Sequence, residues 1–140
     1  MENSEYNRLH ILPKKLNKHS IYCAANGKQE KYNGQGVFNK NEKFTVIQAR
    51  KGKRRKNTLS YVLLYKSEIM VRVDINGAAH HGIETPHIHI FDENHNQGDT
   101  AISISNLKQY DPTDEIIQSL IEFLNYNNFD TNVKIQEKIV

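Results

Sequence analysis

The sequence predicts an α+β domain: a single antiparallel β-sheet of about 4–6 strands with one C-terminal helix packed on one face. Stretches rich in β-branched and aromatic residues follow one another at 43–50, 58–66 and 68–75, with turn residues and no helical pattern between them. One segment near the C-terminus places Ile116, Ile117, Leu120, Ile121 and Leu124 at helical spacing. A length of 140 residues fits one domain, and a lone cysteine excludes a disulfide framework.

Taken in order, residues 1–20 are polar and basic, with Leu9-His10-Ile11-Leu12 and Leu16 as the only anchors. They are expected to form an N-terminal arm ahead of a domain spanning 21–140. Ile21 to Ala24 reads as a short strand ended by Asn26-Gly27. Residues 28–41 read as loop, because Asn33-Gly34 and Gly36 are turn signals. Lys43 to Arg50 is a strand, and Thr58 to Lys66, apolar on both faces, is a central one. Glu68 to Ile75 alternates, with Ile69, Val71, Val73 and Ile75 on one face and Met70, Arg72 and Asp74 on the other. After a loop, Pro86 leads into a strand at His87 to Phe91, and Ala101 to Ile104 allows a fifth. Asp111 is the expected N-cap of the helix, with Pro112 at its first position and Asp114 and Glu115 complementing the dipole. Asn125 to Asn128 ends it, and Val133 and Ile135 allow a strand in the tail.

Charge is uneven along the chain. Residues 1–83 hold 16 Lys/Arg and 6 Asp/Glu, whereas residues 84–140 hold 3 and 10. Six of the seven residues from Arg50 to Lys56 are cationic. Such a block is expected to meet phosphates through Lys51, Lys53, Arg54, Arg55 and Lys56, the alternative being a solvated hairpin tip between two strands. The longest apolar runs, such as Val62-Leu63-Leu64, are far too short to span a membrane. The first residues lack the basic-then-apolar order of a secretory signal, so a cytoplasmic protein with no membrane partner is expected. No CxxC pair, HExxH, phosphate-binding glycine loop or Gly-x-Ser-x-Gly elbow is present. Cys23 reads as a core residue.

Five of the seven histidines fall between positions 80 and 95. In His87-Ile88-His89-Ile90 the isoleucines point one way and the histidines the other. If this strand pairs with 69–75 and both bury their aliphatic faces, Arg72, Asp74, His87 and His89 share the opposite face. His80, His81 and Glu84 lie in the connecting loop. A solvated sheet face is the plain reading of such a pattern. Two chemistries also fit it. One is metal-free RNA cleavage, with His87 and His89 as acid and base, Arg72 stabilising the transition state, Asp74 orienting an imidazole and His81 nearby. Tyr61 or Tyr65 then stacks a base. The other is a zinc-like divalent site drawn from His87, His89, His80, His81, Asp74 and Glu84.

The run Val71-Arg72-Val73-Asp74-Ile75-Asn76-Gly77, then His81, then Thr85-Pro86-His87-Ile88-His89-Ile90-Phe91, resembles a small bacterial family of prophage and mobile-element proteins of low-GC Gram-positive bacteria. Its pattern is Arg-x-Asp-x-x-Gly, a histidine, then Pro-His-x-His. The resemblance carries onto Arg72, Asp74, Gly77, His81, His87 and His89. It departs at Gly82-Ile83-Glu84, where such proteins show Asn-Pro-Asp-Gly-like residues. It implies no particular activity, but the context is similar to that of toxins and anti-defence proteins. The expectation is therefore a small, toxin-like, cofactor-free endoribonuclease acting on RNA. The alternative is a non-enzymatic inhibitor that binds a host nucleoprotein complex and carries a structural or metal-stapled histidine hairpin. The charge asymmetry also suits a protein partner or a homodimer.

Overall fold

The computed structural model describes residues 1–50, 58–77, 80–107 and 109–138. An N-terminal helix, α1 (Asn3–Ile11), precedes β1 (Lys14–Leu16), β2 (Ser20–Tyr22), β3 (Gln29–Gly36), β4 (Lys43–Ala49), β5 (Leu59–Tyr65), β6 (Glu68–Asn76), β7 (His87–Ile90) and β8 (Ala101–Ser103). The C-terminal helix α2 (Ile116–Tyr126) and β9 (Lys134–Gln136) follow. The main sheet runs β1-β3-β4-β5-β6-β7-β8, antiparallel throughout, and β2 pairs β9 in a small parallel sheet. The α+β class is therefore as the sequence predicts. Among the described residues, no helix is long and apolar enough to cross a membrane.

Both helices lie on one side of the sheet. The Phe123 ring of α2 stacks on Tyr61 of β5, with centroids 5.1 Å apart. Tyr6 of α1 donates its hydroxyl to the Met70 carbonyl at 2.6 Å. Leu120, Phe123 and Leu124 are fully buried, worth about 1.5–3 kcal/mol each in removed apolar surface. Where the helix ends meet β1, the Lys14 ammonium is buried and donates to the carbonyls of His10, Leu12 and Asn127. Those carbonyls would otherwise be orphaned at the helix ends.

Several expectations are corrected. The sheet has seven strands rather than 4–6. Residues 1–20, read as an arm, hold α1, which buries Tyr6 and Leu9, and the edge strand β1. The stretch 28–41 contains the eight-residue β3. Its Gly34 does not make a turn: a Cβ there would sit 2.6 Å from the Lys15 carbonyl oxygen, so glycine lets β1 approach. Helix α2 starts one turn later than expected. Glu115, not Asp111, is its N-cap, accepting from the amides of Ile117 and Gln118. In β6 the pairing shifts between Leu63 and Leu64, which face Val71 and Ile69 and leave Met70 as the extra residue. Met70 is consequently buried beside Val71, and Ile69 is exposed, the reverse of simple alternation.

Candidate functional site

Strands β6 and β7 pair Val71 with Ile90, Arg72 with His89, Val73 with Ile88 and Asp74 with His87. Val71, Val73 and Ile88 are fully buried on the helix side. Period-two geometry then sends Arg72, Asp74, His87 and His89 to the other face, as parity predicts. Between the strands the chain reverses at His80–Ile83, whose end residues exchange backbone bonds of 3.0 and 2.9 Å. His81 and Gly82 both have positive φ, 48° and 83°, the condition for a tight two-residue hairpin turn.

Each imidazole is oriented from outside its own strand. His87 donates Nδ1–H to the Ile83 carbonyl at 3.1 Å, and His89 donates Nδ1–H to the Gly98 carbonyl at 2.8 Å. Both Nε2 atoms face Oδ2 of Asp74, at 2.8 Å from His87 and 3.7 Å from His89. From the other side, Arg72 donates Nε to Oδ1 at 3.2 Å and Nη2 to Oδ2 at 2.9 Å. Exposure is graded: His87 is 1% and His89 3% exposed, and the side chains of Asp74 and Arg72 are 13% and 49% exposed. Arg72 is thus the member that faces solvent.

Electrostatics follows this gradient. Burial raises the Asp74 carboxyl, but the hydrogen bonds and charge of Arg72, with a smaller part from His87, outweigh it and leave it below its ordinary range. Burial lowers the His89 imidazole, against the upward pull of its bond to Gly98. Its Nε2 is buried without a hydrogen-bond partner.

The loop histidines form a neighbouring group rather than joining this one. His80 and His81 meet edge to face with centroids 4.2 Å apart, and the His80 ring lies 4.8 Å from that of His89. His80 Nε2 donates to the Asp99 carbonyl at 2.9 Å, while His81 Nε2 is 3.8 Å from the Asp99 carboxylate. His81 therefore sits at the turn tip with its side chain 71% exposed. Among the described residues, Asp74-His87-His89 and His80-His81-Asp99 are the acidic and imidazole groups whose ligand atoms converge, and Glu84 is in neither.

The basic residues Lys51, Lys53, Arg54, Arg55 and Lys56 lie outside the described residues. The strands that border them do pair, Ala49 with Ser60. Tyr61, expected to stack a base, is instead a core residue: it is fully buried and its hydroxyl accepts from Gln48 Nε2 at 2.9 Å. Tyr65 packs on Phe44 and pairs with Glu68, at the far end of β5 from Asp74. Cys23 is buried, and burial pushes its thiol up to about 11, which suits a core role. Sequence reasoning missed the Ile83 and Gly98 carbonyls and Asp99. Gly98 has φ 93°, a left-handed backbone that favours glycine.

Fold and site define a small α+β protein with helices on one face of its sheet and, on the other, a carboxylate–imidazole group with an arginine at its mouth. The chain belongs to a family of unknown function, DUF6978, whose profile matches residues 1–129 and so covers every residue of the site. No curated protein and no solved structure matches it.

Proposed function

We propose that the protein binds RNA and cleaves it, as a small endoribonuclease, at the face carrying Arg72, Asp74, His87 and His89. The reading rests on one row across the sheet: Ala49, Ser60, Asp74 and His87 are successive partners on β4 to β7. Ala49 and Ser60, which stand on either side of the basic run in the sequence, lie at the same end of the sheet as the site. With strands about 4.8 Å apart, Ala49 stands roughly 10 Å from Asp74. Lys51, Lys53, Arg54, Arg55 and Lys56 then neutralise flanking phosphates. Half-exposed Arg72, braced by Asp74, takes the scissile phosphate and stabilises the charge that builds on it. The imidazoles lie directly behind.

The burial of His87 and His89 favours a second reading. A nucleoprotein-binding inhibitor needs only the charged surface, and its histidine hairpin then serves as internal structure. An end-labelled RNA oligonucleotide separates the two. We expect cleavage by the wild-type chain, reduced roughly 10²–10³-fold by Arg72→Ala as for loss of a transition-state donor. Salt-sensitive binding without cleavage supports the inhibitor. Neither binding nor cleavage ends both readings.

A further inference from the structure

We infer that Asp74, His87 and His89 form a binding site for one divalent transition-metal ion of the zinc class. Backbone carbonyls only accept hydrogen bonds, so the bonds to Ile83 and Gly98 place a proton on Nδ1 of each ring. A neutral ring then offers Nε2 as a lone pair. Two such lone pairs converge on a carboxylate oxygen, at 2.8 and 3.7 Å. A proton on His87 Nε2 satisfies the shorter approach. It leaves His89 Nε2, buried on a residue 3% exposed, with nothing to bind. One cation placed among the three atoms satisfies all of them.

Size and chemistry agree. Ligand atoms about 2.0–2.2 Å from a tetrahedral ion lie roughly 3.4 Å from one another, between the two separations observed. All three ligand atoms already lie within 4.8 Å of one another. Imidazole N–H groups held by backbone carbonyls are the usual outer support of metal-binding histidines. Two imidazoles and a carboxylate suit Zn²⁺ or Co²⁺ rather than Mg²⁺ or Ca²⁺. Arg72 can keep Nε on Oδ1 while Oδ2 turns to the ion. Three protein ligands leave a fourth position for water or a phosphate oxygen. The His80-His81-Asp99 group is a weaker host, because His81 and Asp99 are over 70% exposed and His80 Nε2 is already bonded to a carbonyl.

The test is titration of metal-stripped, full-length protein with Co²⁺ alone. We expect a visible spectrum of four-coordinate cobalt that saturates at one equivalent, bleaches with Zn²⁺, and comes with a raised melting temperature. Asp74→Asn and His89→Gln should each weaken binding on the order of 10²-fold or more, at least what loss of an outer partner costs. His81→Ala and His95→Gln should leave it unchanged. A folded wild-type protein with no saturable spectrum and no thermal shift overturns the proposal. So does binding that survives Asp74→Asn but is lost in His81→Ala, which moves the ion to the turn. If His89→Gln does not fold, the wild-type titration and the partly exposed Asp74 variant still decide. Metal binding and RNA cleavage fail separately: cobalt binding without RNA cleavage keeps this site and ends that activity.

Discussion

Nε2 of His89 lies 3.7 Å from Oδ2 of Asp74 and has no hydrogen-bond partner, although its ring is buried. The other nitrogen of the same ring is held at 2.8 Å by the carbonyl of Gly98, nine residues along the chain. The aim of this imidazole is therefore set by the segment Glu93–Gly98 and not by strand β7 alone.

Gly98→Ala tests that dependence. At φ 93° an added Cβ would meet the Phe91 ring at 2.4 Å, so the segment must move. The left-handed backbone and the clash together should cost about 1–3 kcal/mol, read as a lower urea midpoint. Imidazole ¹⁵N shifts should show His89 Nδ1 losing its bond. A variant with wild-type stability and unchanged shifts contradicts this placement of Gly98.

Acid should destabilise the protein through His10. Burial, with a smaller part from the Lys14 charge, lowers its imidazole to about 4, against the upward pull of its bond to Asn127. The unfolded chain, with an ordinary imidazole near 6.5, binds the proton first as pH falls. The stability this group contributes is complete above about pH 6.5 and is lost progressively towards pH 4, by roughly 3 kcal/mol. Urea melts across that window should show a shallower slope for His10→Gln than for wild type. Identical slopes would remove His10 as the cause.

Glu115→Ala should cost about 1 kcal/mol, the ordinary value of an N-cap. Its carboxylate accepts from the Ile117 and Gln118 amides at the start of α2. The urea midpoint should fall with the slope unchanged. The same substitution at Asp111 should be close to neutral, and a reversed order would restore the earlier helix start.

Replacing Lys51, Lys53, Arg54, Arg55 and Lys56 with Gln should weaken RNA binding without lowering the melting temperature. For every phosphate that these side chains neutralise, the substitution should flatten the log–log salt dependence by about one unit. An unchanged salt slope would make the run a solvated hairpin tip.

Parity is the part of the site that was legible. Alternation at Val71 to Asp74 and His87 to Ile90, together with one apolar face, fixes the side on which each residue stands, so the four polar residues had to share one face, whereas the pairing of Asp74 with His87 is set by the fold. The amphipathic stripe of α2 was equally plain. The unseen elements are those whose signal is not periodic. α1 shows little more than Tyr6 and Leu9 as its buried stripe. β3 is interrupted by glycines that serve a neighbouring backbone, and the bulge at Met70 inverts two residues without any mark in composition.

By itself, the sequence determined the fold class, the apolar face of β6 from Val71 onward and of β7, and the polar set opposite it, because hydrophobic periodicity is local and needs no partner. Only the tertiary structure decided that His87 and His89 are buried, that His81 stands apart at a turn tip, and that Ile83 and Gly98 orient the two rings. Those outcomes depend on carbonyls from segments that reach the rings only once the chain has turned back on itself. A carbonyl's direction is fixed by backbone torsion and packing, and residue identity does not encode it.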